Sequence, residues 1–170
     1  MIGNKDAGTI TFYYDSDKLF NDVSLMSAYL AKNWAESETS VDEYSITEDE
    51  RELYTICVKQ AFPNVYEEMI KLSSGIDNAF NDDVVIETKE ESGLRRDAGK
   101  YLEINIVNNN AYNSNVLNLV DATILDCLKY CILSEFYTLC LNAGLQKIAY
   151  GKFINSLSQL KNRLFQLKKK

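Results

Sequence analysis

Residues 119–145, LVDATILDCLKYCILSEFYTLCLNAGL, limit the fold more than any other stretch of this 170-residue chain. On a helix at about 100° per residue, Leu125, Leu128, Ile132, Phe136, Leu139 and Ala143 fall in one narrow sector. Val120, Ile124, Leu133 and Tyr137 occupy the flanks, so the helix is apolar round most of its circumference. Such a helix cannot lie on a surface. Neighbours must cover it on several sides. The fold class expected is therefore mainly α, a helical bundle around a long central helix at about 115–142, within one domain spanning residues 1–170.

Three of the four cysteines sit in this stretch. Cys127 and Cys131 are one turn apart on a flank of the stripe, and Cys140 points to nearly the opposite side. One ion cannot be gripped by all three, and an i, i+4 pair cannot close a disulfide without unwinding its helix. A two-thiolate zinc site needs two further ligands, yet only Cys57 and carboxylates remain, because the chain has no histidine. Free thiols pack as small hydrophobes. The expectation is four reduced thiols used as core, with no metal and no cofactor.

The rest of the chain supplies the covering elements. TITFYY (9–14) is a short run of β-formers. Leu19, Val23, Met26, Leu30 and Trp34 recur at helical spacing and predict an amphipathic helix. TEDE (47–50) has the pattern of a capping box, with Thr47 accepting from the Glu50 amide while Glu50 reaches back. The helix it starts should run toward Phe62, where Pro63 should kink or break it, and a further helical piece should end near Gly75. VVIET and KYLEINIV predict two strands, an inserted β-hairpin at about 84–107, whose tip KEESGLRRDAG is charged. That tip is either a solvated loop or an arm that docks on a partner.

Charge is unevenly distributed. Residues 144–170 hold Lys147, Lys152, Lys161, Arg163, Lys168, Lys169 and Lys170 and no acid, a net +7. The other 143 residues hold 11 basic and 25 acidic side chains, a net −14. Basic residues near a helix C-terminus complement its dipole, but that accounts for only a few lysines. Nucleic-acid binding fits the tail and not the acidic body. Head-to-tail self-association, the acidic face of one subunit meeting the basic helix of the next, fits both. The same segment carries Phe153, Leu157, Leu160, Leu164 and Leu167 at heptad-like spacing. Residues 144–170 are thus expected to form a basic C-terminal docking helix, separable from the folded body.

An enzyme is not expected, and no catalytic residue is assigned. Without histidine the commonest general base is missing. No GxxxxGK, GxGxxG, GxSxG or CxxC motif occurs. The pairs Asp82–Asp83 and Glu90–Glu91 are adjacent, so on strands they point to opposite faces. The N-terminus MIGNKDAGTITFYYDSD is too polar for a signal peptide, and no stretch is long and apolar enough for a membrane span. The expected setting is a reducing cytosol, without membrane contact.

The order of elements is a short extended N-terminus, the helix VSLMSAYLAKNW, a kinked helical stretch and a hairpin with a long charged loop. The apolar helix LVDATILDCLKYCILSEFYTL follows, then a final helix ending in LSQLKNRLFQLKKK. This arrangement resembles the small head-to-tail connector proteins of tailed bacteriophages, the adaptor or ring proteins beneath the portal, and most of all those of Bacteroides-infecting and crAss-like phages. The resemblance implies a structural virion protein forming a homo-oligomeric ring, commonly dodecameric. It would bind the portal protein and neighbouring connector or tail proteins, with DNA passing through without specific binding. It further implies location in the virion neck after assembly in the host cytoplasm. Partner-binding residues would then be Lys168, Lys169 and Lys170 as steering charges, Phe153, Leu157, Leu160 and Leu164 as a buried stripe, and Arg95 and Arg96 at the hairpin tip. The competing class is a small cytosolic interaction or regulatory protein of a bacterium or mobile element.

Overall fold

A computed structural model describes residues 2–6, 9–34, 41, 43–74, 84–92, 100–108 and 114–168. In chain order the elements are β1 (Ile2–Asp6), β2 (Thr9–Asp15), α1 (Ser16–Trp34), a 3-10 turn (Glu48–Glu50) and α2 (Arg51–Ser74). Then come β3 (Val84–Ser92), β4 (Lys100–Asn108), α3 (Ser114–Leu139) and α4 (Ala143–Lys168). Four helices dominate the described chain, in keeping with the apolar periodicity.

Helix α3 buries more than a single stripe. Val116, Leu117, Val120, Ile124, Cys127, Leu128, Cys131, Ile132, Leu133, Phe136 and Tyr137 are all buried. Helix α4 runs back antiparallel along it. Gln146 donates to the Ser134 hydroxyl (3.4 Å), the Lys152 ammonium lies 5.4 Å from the centre of the Tyr130 ring, and Arg163 donates to the Leu119 carbonyl (2.8 Å) and to the Thr123 hydroxyl. Leu145, Ala149, Phe153, Leu157, Leu160 and Leu164 form the buried side of α4.

Helix α1 buries Leu19 and Val23 and half-buries Met26 and Leu30, as its spacing requires. Its buried Ser27 ties three segments together. The Ser27 hydroxyl accepts from the Ile46 amide (2.7 Å) and donates to the Ser24 carbonyl (2.7 Å), while Tyr137 donates to the Ser27 carbonyl (3.5 Å). At the start of α2 the expected capping box is present: Glu50 reaches back to accept from the Thr47 amide (2.8 Å), the Thr47 side chain receives the Glu50 amide, and the Thr47 hydroxyl also donates to the Glu50 carboxylate. The Glu50 amide also donates to the Thr47 carbonyl (3.2 Å), which makes the first turn 3-10.

Pro63 does not break α2, which continues unbroken from Arg51 to Ser74. Cys57, Ala61 and Val65 are buried at i, i+4 spacing on both sides of the proline. Packing holds the helix through it, and Pro63 itself lies on the exposed side, where the unpaired carbonyl can meet solvent.

The two strands expected at 84–107 pair with each other antiparallel, from Val84 with Asn108 to Ser92 with Lys100, but they do not stand alone. β4 is an inner strand, antiparallel to β3 on one side and to β2 on the other, in a four-stranded sheet of order β1-β2-β4-β3. Phe12 and Tyr14, both buried, pair with Ile104 and Leu102. The N-terminal β-former run needs partners for its backbone, and β4 supplies them.

The turn from α3 to α4 is sharply defined. The Leu141 amide donates to the Thr138 carbonyl (3.2 Å) and the Asn142 amide to the Tyr137 carbonyl (3.0 Å), the paired bonds of a Schellman ending. Leu141 takes the left-handed position, φ 54°, that glycine usually fills. Asn142 then caps α4, its side-chain oxygen accepting from the Leu145 amide (3.0 Å).

Two glycines of α4 give opposite expectations. A Cβ on Gly144 would stand 2.2 Å from the Trp34 ring, whereas one on Gly151 would meet nothing within 4 Å. Gly144→Ala should therefore displace the indole from its seat between α1 and α4, costing roughly 1–2 kcal/mol. Gly151→Ala should stabilise by about 0.5–1 kcal/mol through helix propensity alone. Urea melts of the two variants check both signs.

Candidate interaction surface

The cysteine thiols are used as core. Cys57, Cys127 and Cys131 are buried and Cys140 is half-buried, all four as free thiols. The Cys131 thiol donates weakly to the Ala61 carbonyl (3.8 Å). Burial pushes the Cys57, Cys127 and Cys131 thiols from 9.0 up to about 12, with Glu135 adding to the effect at Cys57 and Cys131 and Asp126 at Cys127. Cys140 is raised too, by burial and then by Glu50. Nucleophilic chemistry needs the opposite shift. Among the described residues no group of three or more cysteine, aspartate and glutamate side chains is placed to hold a metal ion, and no helix is long and apolar enough to cross a membrane.

These thiols give a test of the packing. Native-state alkylation should modify Cys140 first and leave the other three until the chain unfolds, as peptide mapping would read. The raised values also set a sign. A buried thiol keeps its proton to higher pH in the folded chain than in the unfolded one, so its contribution is complete below pH 9 and falls as pH rises toward 12. The urea midpoint should therefore drop between about pH 8 and about pH 10.5.

The residues expected to meet a partner divide sharply. Phe153, Leu157, Leu160 and Leu164 are buried within this chain, in one cluster with the buried side chains of α3, so the stripe is core and not a free docking surface. A helix as apolar as α3 needs cover, and α4 is the cover. Arg163 is engaged as a clamp on the first turns of α3. Lys168 ends α4, and only its backbone is described. Arg95, Arg96, Lys169 and Lys170 lie outside the described residues, as does the 93–99 part of the expected hairpin tip.

The outward side of α4 presents a second stripe that the heptad pattern concealed. Tyr150, Ile154 and Phe165 are 51%, 44% and 46% exposed. At 100° per residue they share an arc of about 60° with exposed Lys147 and Lys161. Their spacings of 4 and 11 were visible in the sequence beside the stronger buried stripe. At the other extreme stands Leu141, 91% exposed on the α3–α4 turn, with Leu139 also exposed next to it. Exposed Glu48, Asp49 and Glu52 gather on the acidic turn leading into α2. Glu48 pairs with Arg51 (3.0 Å), which also holds Asp17 and stacks 4.5 Å over Phe20.

No family model, no curated protein and no solved structure matches the chain.

Proposed function

We propose that this chain is a non-enzymatic structural subunit that self-associates head to tail into a ring, of the kind that joins the portal of a tailed phage to its tail. The observation that carries the reading is the division of surface chemistry. The outward side of α4 offers lysines and large apolar side chains with no acid, while exposed acids gather on the turn into α2. A surface divided in this way satisfies itself only against another copy or an equally polarised partner. The sequence resemblance supplies the setting, in which an acidic body lets DNA pass the lumen without adhering. Lys168, Lys169 and Lys170 extend the basic end and steer encounter. Arg95 and Arg96, between β3 and β4, contact an adjacent subunit or tier, and the long α3 is the axis of each subunit's bundle.

Native mass spectrometry and negative-stain microscopy of the purified chain, alone and with an isolated portal ring, test this. Closed rings that loosen as salt rises support it. A monomer or dimer under every condition, the portal included, would replace it with the small regulatory protein.

A further inference from the structure

We propose that the α3–α4 turn is a preformed knob, Leu141 with Leu139 beside the acidic turn at Glu48–Glu52, that docks on the outward face of α4 in a second copy of this chain. This rests on the self-association reading and names its interface.

The knob begins with a residue in the wrong place for folding alone. Leu141 holds φ 54°, where a Cβ crowds the following carbonyl and glycine is preferred. Its side chain is 91% exposed, so the fold gains almost no burial in return. The turn is also rigid. Two Schellman bonds close it on one side and the Asn142 cap on the other, so Leu141 is presented and not merely loose. An exposed apolar side chain held in a disfavoured backbone conformation is a residue retained for contact.

The acidic turn belongs to the same end of the molecule. Tyr137, in the last turn of α3, bonds the Ser27 carbonyl, and the Ser27 hydroxyl receives the Ile46 amide, two residues before Glu48. The same end thus joins two exposed leucines to exposed Glu48, Asp49 and Glu52.

The opposite surface has the matching composition. Ile154 and Phe165 alternate with Lys161 on the exposed arc of α4, and Tyr150 and Lys147 continue it. The bond from Arg163 to Leu119 places this stretch beside the start of α3, away from the turn. At 1.5 Å per residue, Ile154 to Phe165 lie roughly 20–35 Å along α4 from Leu141. The turn therefore cannot reach the Ile154–Phe165 stretch of its own chain. Leucines against an aromatic and aliphatic stripe, and carboxylates against lysines, fit between two copies as a heterologous contact.

Leu141→Gly is the decisive variant, because it relieves the backbone and removes the knob together. Its Tm should stay level or rise by about 2 °C. The concentration for half-association, read by sedimentation, should increase on the order of tenfold. Two charge-reversed chains complete the test: Asp49→Lys with Glu52→Lys, and Lys161→Glu. Each alone should fail to associate, and an equimolar mixture should recover association, since each then offers the complement of the other. Wild-type association by Leu141→Gly, or a mixture that stays monomeric, would overturn the proposed interface while leaving ring formation intact. A wild-type chain that never associates removes the self-association reading and this interface with it.

Discussion

Deleting residues 144–170 is expected to unfold the chain, not to release a docking element from an intact body. The segment contributes Leu145, Phe153, Leu157, Leu160 and Leu164 to the core, each buried. Complete burial of a large apolar side chain contributes about 1.5–3 kcal/mol, so five amount to roughly 7–15 kcal/mol. That equals the whole stability of a typical domain, about 5–15 kcal/mol. Deletion also uncovers the face of α3 that α4 covers, and it removes the Arg163 bonds to Leu119 and Thr123. The truncated chain should lose its cooperative urea transition and aggregate through exposed α3. A truncated chain that still melts cooperatively, with a denaturant slope reduced only in proportion to its length, would show that α4 is separable after all.

How far the sequence reached can be judged element by element. Helix α3 was legible because its periodicity is long and its circumference so apolar. α1, Ser16–Trp34, was legible from the amphipathic spacing of Leu19, Val23, Met26 and Leu30. The heptad-like stripe of α4 was legible as a pattern, but its destination was not. A run of Phe153, Leu157, Leu160 and Leu164 looks the same whether it packs on its own chain or on a neighbour. The deciding fact is the width of the apolar surface on α3, which demands a second covering helix. The sheet was half legible. β2, β3 and β4 announced themselves by composition and β1, Ile2–Asp6, did not; strand pairing depends on distant backbone, and nothing local told β2 to pair with β4. Pro63 does not end the helix because intrinsic helix breaking is a local preference, and the buried residues on either side override it. Leu141 was invisible, since a leucine carries no sign that its backbone will be left-handed.

A paired substitution on α4 separates its two sides with the largest contrast. Leu160→Asp puts a carboxylate at a position with no exposure, among the buried side chains that α3 and α4 share. Loss of the leucine leaves a cavity and the new carboxylate is stranded without a partner, so the expected cost is about 4 kcal/mol or more. Ile154→Asp makes the same chemical change six residues earlier, on the exposed arc between Tyr150 and Lys161. Solvent can reach that carboxylate, and the expected cost is about 1 kcal/mol or less. The order reverses for assembly. Ile154→Asp places an acid where the proposed partner presents its own acids, so a fully folded chain should lose association. Leu160→Asp can affect association only by unfolding the subunit first. Thermal melts and sedimentation on both variants resolve the two effects. If Ile154→Asp assembled normally, the outward stripe of α4 would be ordinary solvated surface, and its basic charge would then need a different partner.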